Sequence, residues 1–181
     1  MPDLPSPPLD LNGEIWRFAL DYYGGPGISD ACLRLQDESG IDVVNLIIIL
    51  YADTKLKRRL SAKEVSQLKE EMKCWREETV LPLRTLRRRL KTPPAEFPAE
   101  ETEALRNLIK KAELQAEQIQ LAIGERWLLR PRTRGGLSAE KAILLLREGS
   151  PGDPATDLLA LIEHVAAAAR NTAGRMAERS T

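Results

Sequence analysis

The sequence predicts an all-α fold: a single-domain helical bundle of six to eight helices around a buried central helix at about 41–53. Three observations predict it. Residues 43–52 are apolar at every position except Asn45, and a segment apolar on all sides is buried rather than turned to water. Elsewhere apolar residues recur at spacings of three and four, and no stretch alternates with a period of two. Finally, a chain of 181 residues can bury about 70% of the surface its unfolded form exposes, enough for a core without disulfide or metal.

The central segment has conflicting local signals. Val43, Val44, Ile47, Ile48 and Ile49 are β-branched and favour a strand. A lone strand has no ladder for its backbone groups, however, and no second strand is in sight. Gly40 can stop a preceding helix and Asp42 can cap a new one, so the segment reads as a helix. Asn45 is then a polar group near a buried face and calls for a hydrogen-bond partner.

The other elements follow in chain order. Residues 1–11 are proline-rich and read as an extended or disordered segment before a helical core at 12–149. A first helix is expected over about 12–23, with Ile15, Trp16, Ala19, Leu20 and Tyr23 on one side and Phe18 and Tyr22 on another. Gly24, Gly25, Pro26 and Gly27 end it. Ser29 is placed to cap a second helix whose inner stripe is Ala31, Cys32 and Leu35, closed by Gly40. After the central helix, Ser61 with Glu64 forms a capping box and Leu60 with Val65 a hydrophobic staple. Val65, Leu68, Met72 and Trp75 continue that helix. Pro82 should interrupt or kink it. Leu83, Leu86 and Leu90 then resume an apolar seam, leaving Arg84, Arg87, Arg88 and Lys91 on the other faces. Residues 92–98 form a proline-rich linker. A long helix follows, with Leu105, Leu108, Ile109, Ala112, Ala116, Ile119 and Ile123 as its buried stripe. Residues 130–136 are a basic loop, and Ser138 caps a short helix carrying Ala142, Ile143, Leu145 and Leu146. Ser150, Pro151 and Gly152 break the chain. Residues 150–181 hold a C-terminal helix, packed on the core or extending from it, opened by Asp153 and Pro154 and frayed from Arg170.

Charge is unevenly placed. Residues 1–54 carry nine acids and two bases, residues 55–91 thirteen bases and five acids, and the whole chain is neutral. Either the acidic first part lies against the basic middle, or one block meets an outside partner. The N-terminus lacks the basic and apolar regions of a secretory signal, and the longest apolar run is far short of the roughly 18 residues of a membrane span. Cys32 and Cys74, the only cysteines, read as free thiols on apolar helix faces of a soluble cytoplasmic protein.

Several motifs together resemble a proteobacterial all-helical family known only as a domain of unknown function. They are Trp16-Arg17-Phe18-Ala19-Leu20, the Gly24–Gly27 turn, Ala31 to Asp37, Gly40 to Val43, Trp75-Arg76, Val80 to Arg84 and Leu86-Arg87. The resemblance spans about 12–148. Members of that family run Asp-Val-Asn at the head of the buried helix, whereas here Val44 intervenes before Asn45. The resemblance implies a small intracellular bacterial helical protein and assigns no catalytic residue.

Three chemistries can be weighed from the residues. Gln36, Asp37, Asp42 and Asn45 cluster near the joint between the second helix and the central one, and could offer oxygen ligands to a divalent cation in an enzyme. Three of them also have a structural role open to them, Asp42 as a cap, Asn45 as a buried hydrogen bonder and Asp37 as a solvent-facing or arginine-paired residue. Lys55, Lys57, Arg58 and Arg59, with Arg84, Arg87, Arg88, Arg89 and Lys91, could contact the phosphates of a nucleic acid. Against this, the chain is neutral and only Trp75 offers a stacking platform in that block. Nucleophilic catalysis would need a base beside Cys32 or Cys74, and His164, the single histidine, lies in an Ala/Leu-rich helix. Gly135 and Gly136 before Ser138 read as a plain connection. The sequence therefore predicts no cofactor, no metal and no catalytic residue. The expected role is a non-enzymatic protein-interaction module with an unknown protein partner or a second copy of itself. The final helix is the first candidate for the contact.

Overall fold

The computed structural model describes residues 8–131, 136–147 and 156–179. Among them the regular structure is helical throughout: α1 (Glu14–Tyr23), α2 (Ile28–Ser39), α3 (Val43–Thr54), α4 (Ala62–Trp75), a π-helical turn (Arg76–Val80), α5 (Leu81–Arg89), α6 (Ala99–Leu128), α7 (Ala139–Leu144) and α8 (Thr156–Glu178). Because α4, the π turn and α5 follow without a break, the described residues form seven helical rods.

α3 is the axis. Asp42 caps it, its Oδ1 accepting from the Val44 amide at 3.1 Å. Residues 43–52 are all buried, and α1, α2, α4, α6, α7 and α8 all pack on this helix. Burial explains why the β-branched residues accept a helix. Their propensity penalty is at most about 0.7 kcal/mol each, whereas burying each side chain contributes roughly 1.5–3 kcal/mol.

α6 crosses α3 at Gly124. A Cβ there would stand 2.3 Å from Ile48 Cδ1 and 2.7 Å from its Cγ1, and Ile48 is itself fully enclosed. Gly124→Ala gains about 1 kcal/mol of helix propensity and meets an overpacking cost of about 1–3 kcal/mol. We expect a net loss of stability in urea unfolding. Ile48→Ala alone should cost about 2–5 kcal/mol, and the double variant less than the two losses together, because each change relieves the other.

At α1 the buried face is Ile15, Phe18, Ala19 and Tyr22, while Leu20 and Tyr23 are exposed. The expected seam through Leu20 and Tyr23 loses to the one with larger rings. Phe18 stacks on Tyr22 and meets Tyr51 edge-on. The helix has no side-chain cap of its own. Glu125 of α6 supplies one, accepting from the Ile15 amide and the Tyr51 hydroxyl, both at 3.1 Å. A Cβ at Gly13 would lie 2.4 Å from that carboxylate.

α2 begins at Ile28 rather than after a Ser29 cap. Gly27 occupies the N-cap in a left-handed conformation (φ 71°), which turns the chain so that Ile28 enters the core in the first turn. Ala31, Cys32 and Leu35 are its inner stripe, and Gly40 (φ 64°) closes it. The capping box of α4 is present in both halves, Glu64 N to Ser61 Oγ and Ser61 N to Glu64 Oε2. Leu60 and Val65 are both buried beside it.

Pro82 neither breaks nor stops the α4–α5 rod. The helix widens instead, and the Leu81 amide reaches back five residues to the Arg76 carbonyl. The wider turn makes room for a proline ring that would otherwise clash with the preceding turn. It also adds one residue to the turn, advancing the register by about 100°. The buried seam of Val65, Leu68 and Met72 therefore continues through Val80 to Arg84 and Arg87. Leu86 is exposed, and Leu83 and Leu90 are only half-buried. Of the expected leucine seam only Leu86 has turned outward, and of the expected polar faces Arg84 and Arg87 have turned inward, while Arg88 and Lys91 stay exposed.

α6 departs from its expected stripe in a related way. Ile109 and Ala116 are buried, Ile119 and Ile123 half-buried, but Leu105, Leu108 and Ala112 are exposed, and Glu113 and Gln120 point inward. In α7 Ser138 caps as expected, accepting from the Lys141 amide. Leu146 is buried there and Leu145 is exposed. α8 packs on α1, α2, α3 and α7 and runs unfrayed to Glu178, with Thr172 buried beyond the point where fraying was expected. The expected break at 150–152 and the opening at Asp153 and Pro154 lie outside the described residues, as do 132–135 of the basic loop and residues 1–7.

Cys32 is buried and burial pushes its thiol up to about 11, while Cys74 is exposed rather than on an apolar face. Among the described residues no helix is long and apolar enough to cross a membrane.

Candidate functional site

A part-buried polar network lies where α2, the head of α3, the π turn, α5 and α6 meet. Asp42 stands at one end. Its Oδ2 accepts from Gln120 Nε2 at 3.1 Å and lies 3.4 Å from Arg76 Nε. Burial holds the Asp42 carboxyl above the usual carboxylate range, partly offset by Arg76, the Val44 amide and Gln120.

Arg84 joins three elements, donating to Glu113 at 3.0 Å, to Glu117, and to Gln36 Oε1 on α2. Arg87 closes on the same Glu113 with both arms of its fork. Burial would raise the Glu113 carboxyl, but the hydrogen bonds from Arg87 and Arg84 outweigh it and hold it below the usual range. Glu117 goes the other way, because burial exceeds the help it receives from Arg84. Trp75 fixes the end of α4 against this region, donating to the Ala116 carbonyl at 2.9 Å.

Of the four polar residues singled out from the sequence, Gln36 and Asp42 belong to this network. Asp37 turns out to solvent and pairs with Arg88 at 3.2 Å, both about half-exposed, a contact worth at most about 1 kcal/mol. Asn45, in the third position of α3, is 4% exposed and its Oδ1 has no hydrogen-bond partner among the described residues. It lines a hollow of about 210 Å³ with Asp42, Lys69, Glu70, Lys73 and Arg76.

The basic residues divide. Arg58 is 4% exposed; it pairs with Glu64 at 2.8 Å, donates to the carbonyls of Leu128 and Arg130, and stacks 5.7 Å from the Trp127 ring centre. Arg84, Arg87 and Arg88 are paired as described. Lys55, Lys57 and Arg59 line a second hollow, of about 820 Å³, with Arg170 and a single acid, Asp53. Arg89 and Lys91 are exposed at the end of α5. The acidic first part and the basic middle thus meet at Asp42–Arg76, Asp53–Arg59 and Asp37–Arg88.

Sequence reasoning missed Arg76, Glu113, Glu117 and Gln120. A signal existed for three of them: Glu113, Glu117 and Gln120 are spaced four and three apart, beside Ile109 and Ala116, as a polar continuation of a buried stripe.

Among the described residues no three His, Cys, Asp or Glu side chains gather where they could hold a metal ion. His164 is exposed on α8, Cys32 lies against Tyr22 and Cys74 beside Glu78. Gly136 serves close packing, since a Cβ there would meet the Arg59 backbone at 2.4 Å.

A family model described as "Protein of unknown function (DUF2390)" matches residues 14–123, which takes in α1 to α5 and most of α6. No curated protein and no solved structure matches the chain.

Proposed function

Since the chain belongs to the DUF2390 family of proteins of unknown function, and no activity comes with that membership, we propose from its geometry that it is a non-enzymatic protein-interaction module. Its contact surface is the outer face of the α5–α6 hairpin.

One observation carries this reading. The hairpin turns Arg84 and Arg87 inward and leaves Leu86, Leu105 and Leu108 outward. Leu86 is 45% exposed, Leu105 49% and Leu108 62%, while Arg84 and Arg87 are taken up by Glu113 and Glu117. Leu105, Leu108 and Ala112 recur at spacings of three and four, the pattern on which an amphipathic partner helix docks. Exposed apolar residues of this spacing are costly to keep in water unless something covers them. The pairing of Arg84 and Arg87 also favours a protein over a nucleic acid as the partner on α5. α8 is a weaker candidate for an outside contact, because its apolar side is already used against α1, α2, α3 and α7.

The double variant Leu105→Ser/Leu108→Ser should leave thermal stability nearly unchanged, within about 0.5 kcal/mol, because neither side chain is buried. It should abolish the contact. A photo-crosslinking residue at position 108, in cells of the source organism, is expected to give a discrete adduct that the same residue at exposed position 110 does not. Light scattering on the purified chain tells self-association from a foreign partner. Equal crosslinking at both positions, together with a monomer unaffected by the double variant, would remove the hairpin as the contact surface.

A further inference from the structure

We propose that a second copy of this chain covers the first half of α6, the two helices running antiparallel about a two-fold axis at the level of Arg106. This rests on reading the α5–α6 hairpin as the contact surface, and it names the occupant of that surface.

The starting point is how little of this segment its own domain uses. From Ala99 to Ala112, a length of about 20 Å, the only buried residue is Ile109. Helices in proteins owe most of their stability to a packed apolar face. Here that face is turned to water, with Ala104, Leu105, Leu108 and Ala112 together on one side of α6 and all exposed. The ion pairs from α5 reach only Glu113 and Glu117. The segment stands beyond them and is open to a second helix.

Charge selects the occupant. Glu101 and Lys111 bound the apolar residues and make no ion pair among the described residues, whereas Glu103 and Arg106 pair with each other at 2.6 Å. Glu101 and Lys111 stand equally far on either side of Arg106, and so do Ala104 and Leu108. A two-fold axis at that level sets Glu101 of each copy at the height of Lys111 of the other, and each Leu108 against the small side chain of Ala104. Leu105, next to the axis, meets Leu105 of the second copy. A parallel pairing would oppose like charges at both ends instead. Apart from Ile109, the buried residues of α6 run from Glu113 to Leu128, so the two domains fall at opposite ends of the pair.

The test is sedimentation velocity on the full chain, at low salt, up to about 500 µM. A monomer–dimer equilibrium with a Kd of about 10–100 µM is expected, because a contact between two single helices is smaller than a standard interface. Glu101→Lys and Lys111→Glu should each weaken the dimer at least about tenfold, since each sets like charges against one another twice. An equimolar mixture of the two variants should dimerise again, each offering the charge the other lacks. Both positions are exposed, so the variants keep the fold. Orientation is read by oxidation of single cysteines in a Cys74→Ser background. Leu105→Cys should form an intermolecular disulfide and Glu101→Cys should not, its two copies lying about 15 Å apart along the axis. A monomer at about 500 µM, variants that dimerise as well as wild type, or equal oxidation at 101 and 105 each overturns the self-pairing. A monomer whose position 108 crosslinks to a different protein overturns it and leaves the α5–α6 surface standing, whereas a monomer with no adduct removes both.

Discussion

Arg58→Met is expected to lower the unfolding free energy by about 3–5 kcal/mol. Arg58 and Glu64 are both 4% exposed in their side chains and lie 2.8 Å apart. Removing the guanidinium takes a close counter-ion from the buried Glu64 carboxylate, which keeps its hydrogen bonds from Ser61. It also strips a donor from the Leu128 and Arg130 carbonyls, which close α6 and have no next turn to bond to. The methionine replaces the aliphatic stem, so the loss is electrostatic and hydrogen-bonding rather than a cavity. Against a typical domain stability of about 5–15 kcal/mol, this is a large fraction. Removing both charges, Arg58→Met with Glu64→Leu, should recover part of the loss, because no unpaired ion remains. Urea unfolding at neutral pH measures both. A loss below about 1 kcal/mol for the single variant would mean that Arg58 behaves as a surface residue.

Glu113→Ala comes second, with an expected loss of about 3 kcal/mol. It leaves Arg84, 14% exposed, and Arg87, 26% exposed, facing each other without the carboxylate between them. The pH dependence has a definite sign. Glu113 is held below its ordinary value of 4.5 in the folded chain, the hydrogen bonds from Arg87 and Arg84 outweighing its burial. Its contribution is therefore complete above pH 4.5 and is lost as pH falls through the lower folded value. Asp42 and Glu117 are held above their ordinary values and titrate in the opposite sense. Folding gains as they take up protons. Glu113→Gln isolates the first effect, and the difference in stability between wild type and this variant should shrink as the solution is acidified below pH 4.5. A difference that stays constant over that range would show that Glu113 acts only through packing.

The fold was legible in the sequence where burial or a cap matched on both sides decided the reading, and not at the lone Ser29 cap signal, which Gly27 displaces. The apolar run at 43–52, the Asp42 cap, the Ser61–Glu64 box and the Gly40 stop each describe what is found. Misreadings arose where two faces of one helix were equally plausible. In α1 both seams contain large apolar residues, and only tertiary packing of Phe18 and Tyr22 selects between them. In α5 the period was read correctly up to Met72, then displaced by one residue at the π turn, which no spacing upstream of Pro82 announces. Half of the polar cluster was visible because Gln36 and Asp42 sit near a helix joint in sequence. The other half, Glu113, Glu117 and Gln120, comes from a helix some 70 residues later, and only the crossing of α6 over α3 brings it there.

The hydroxyl of Tyr22 donates to the carbonyl of Val165, 143 residues further along. A growing chain leaving the ribosome at about 5–20 residues per second thus makes its first two helices many seconds before α8 exists to cover them. Until then the nascent protein presents Phe18, Tyr22 and Ile28 without their final neighbours. Chaperone demand during synthesis should therefore depend on how long α8 is awaited, and a stop codon ahead of α8 would leave a sticky fragment.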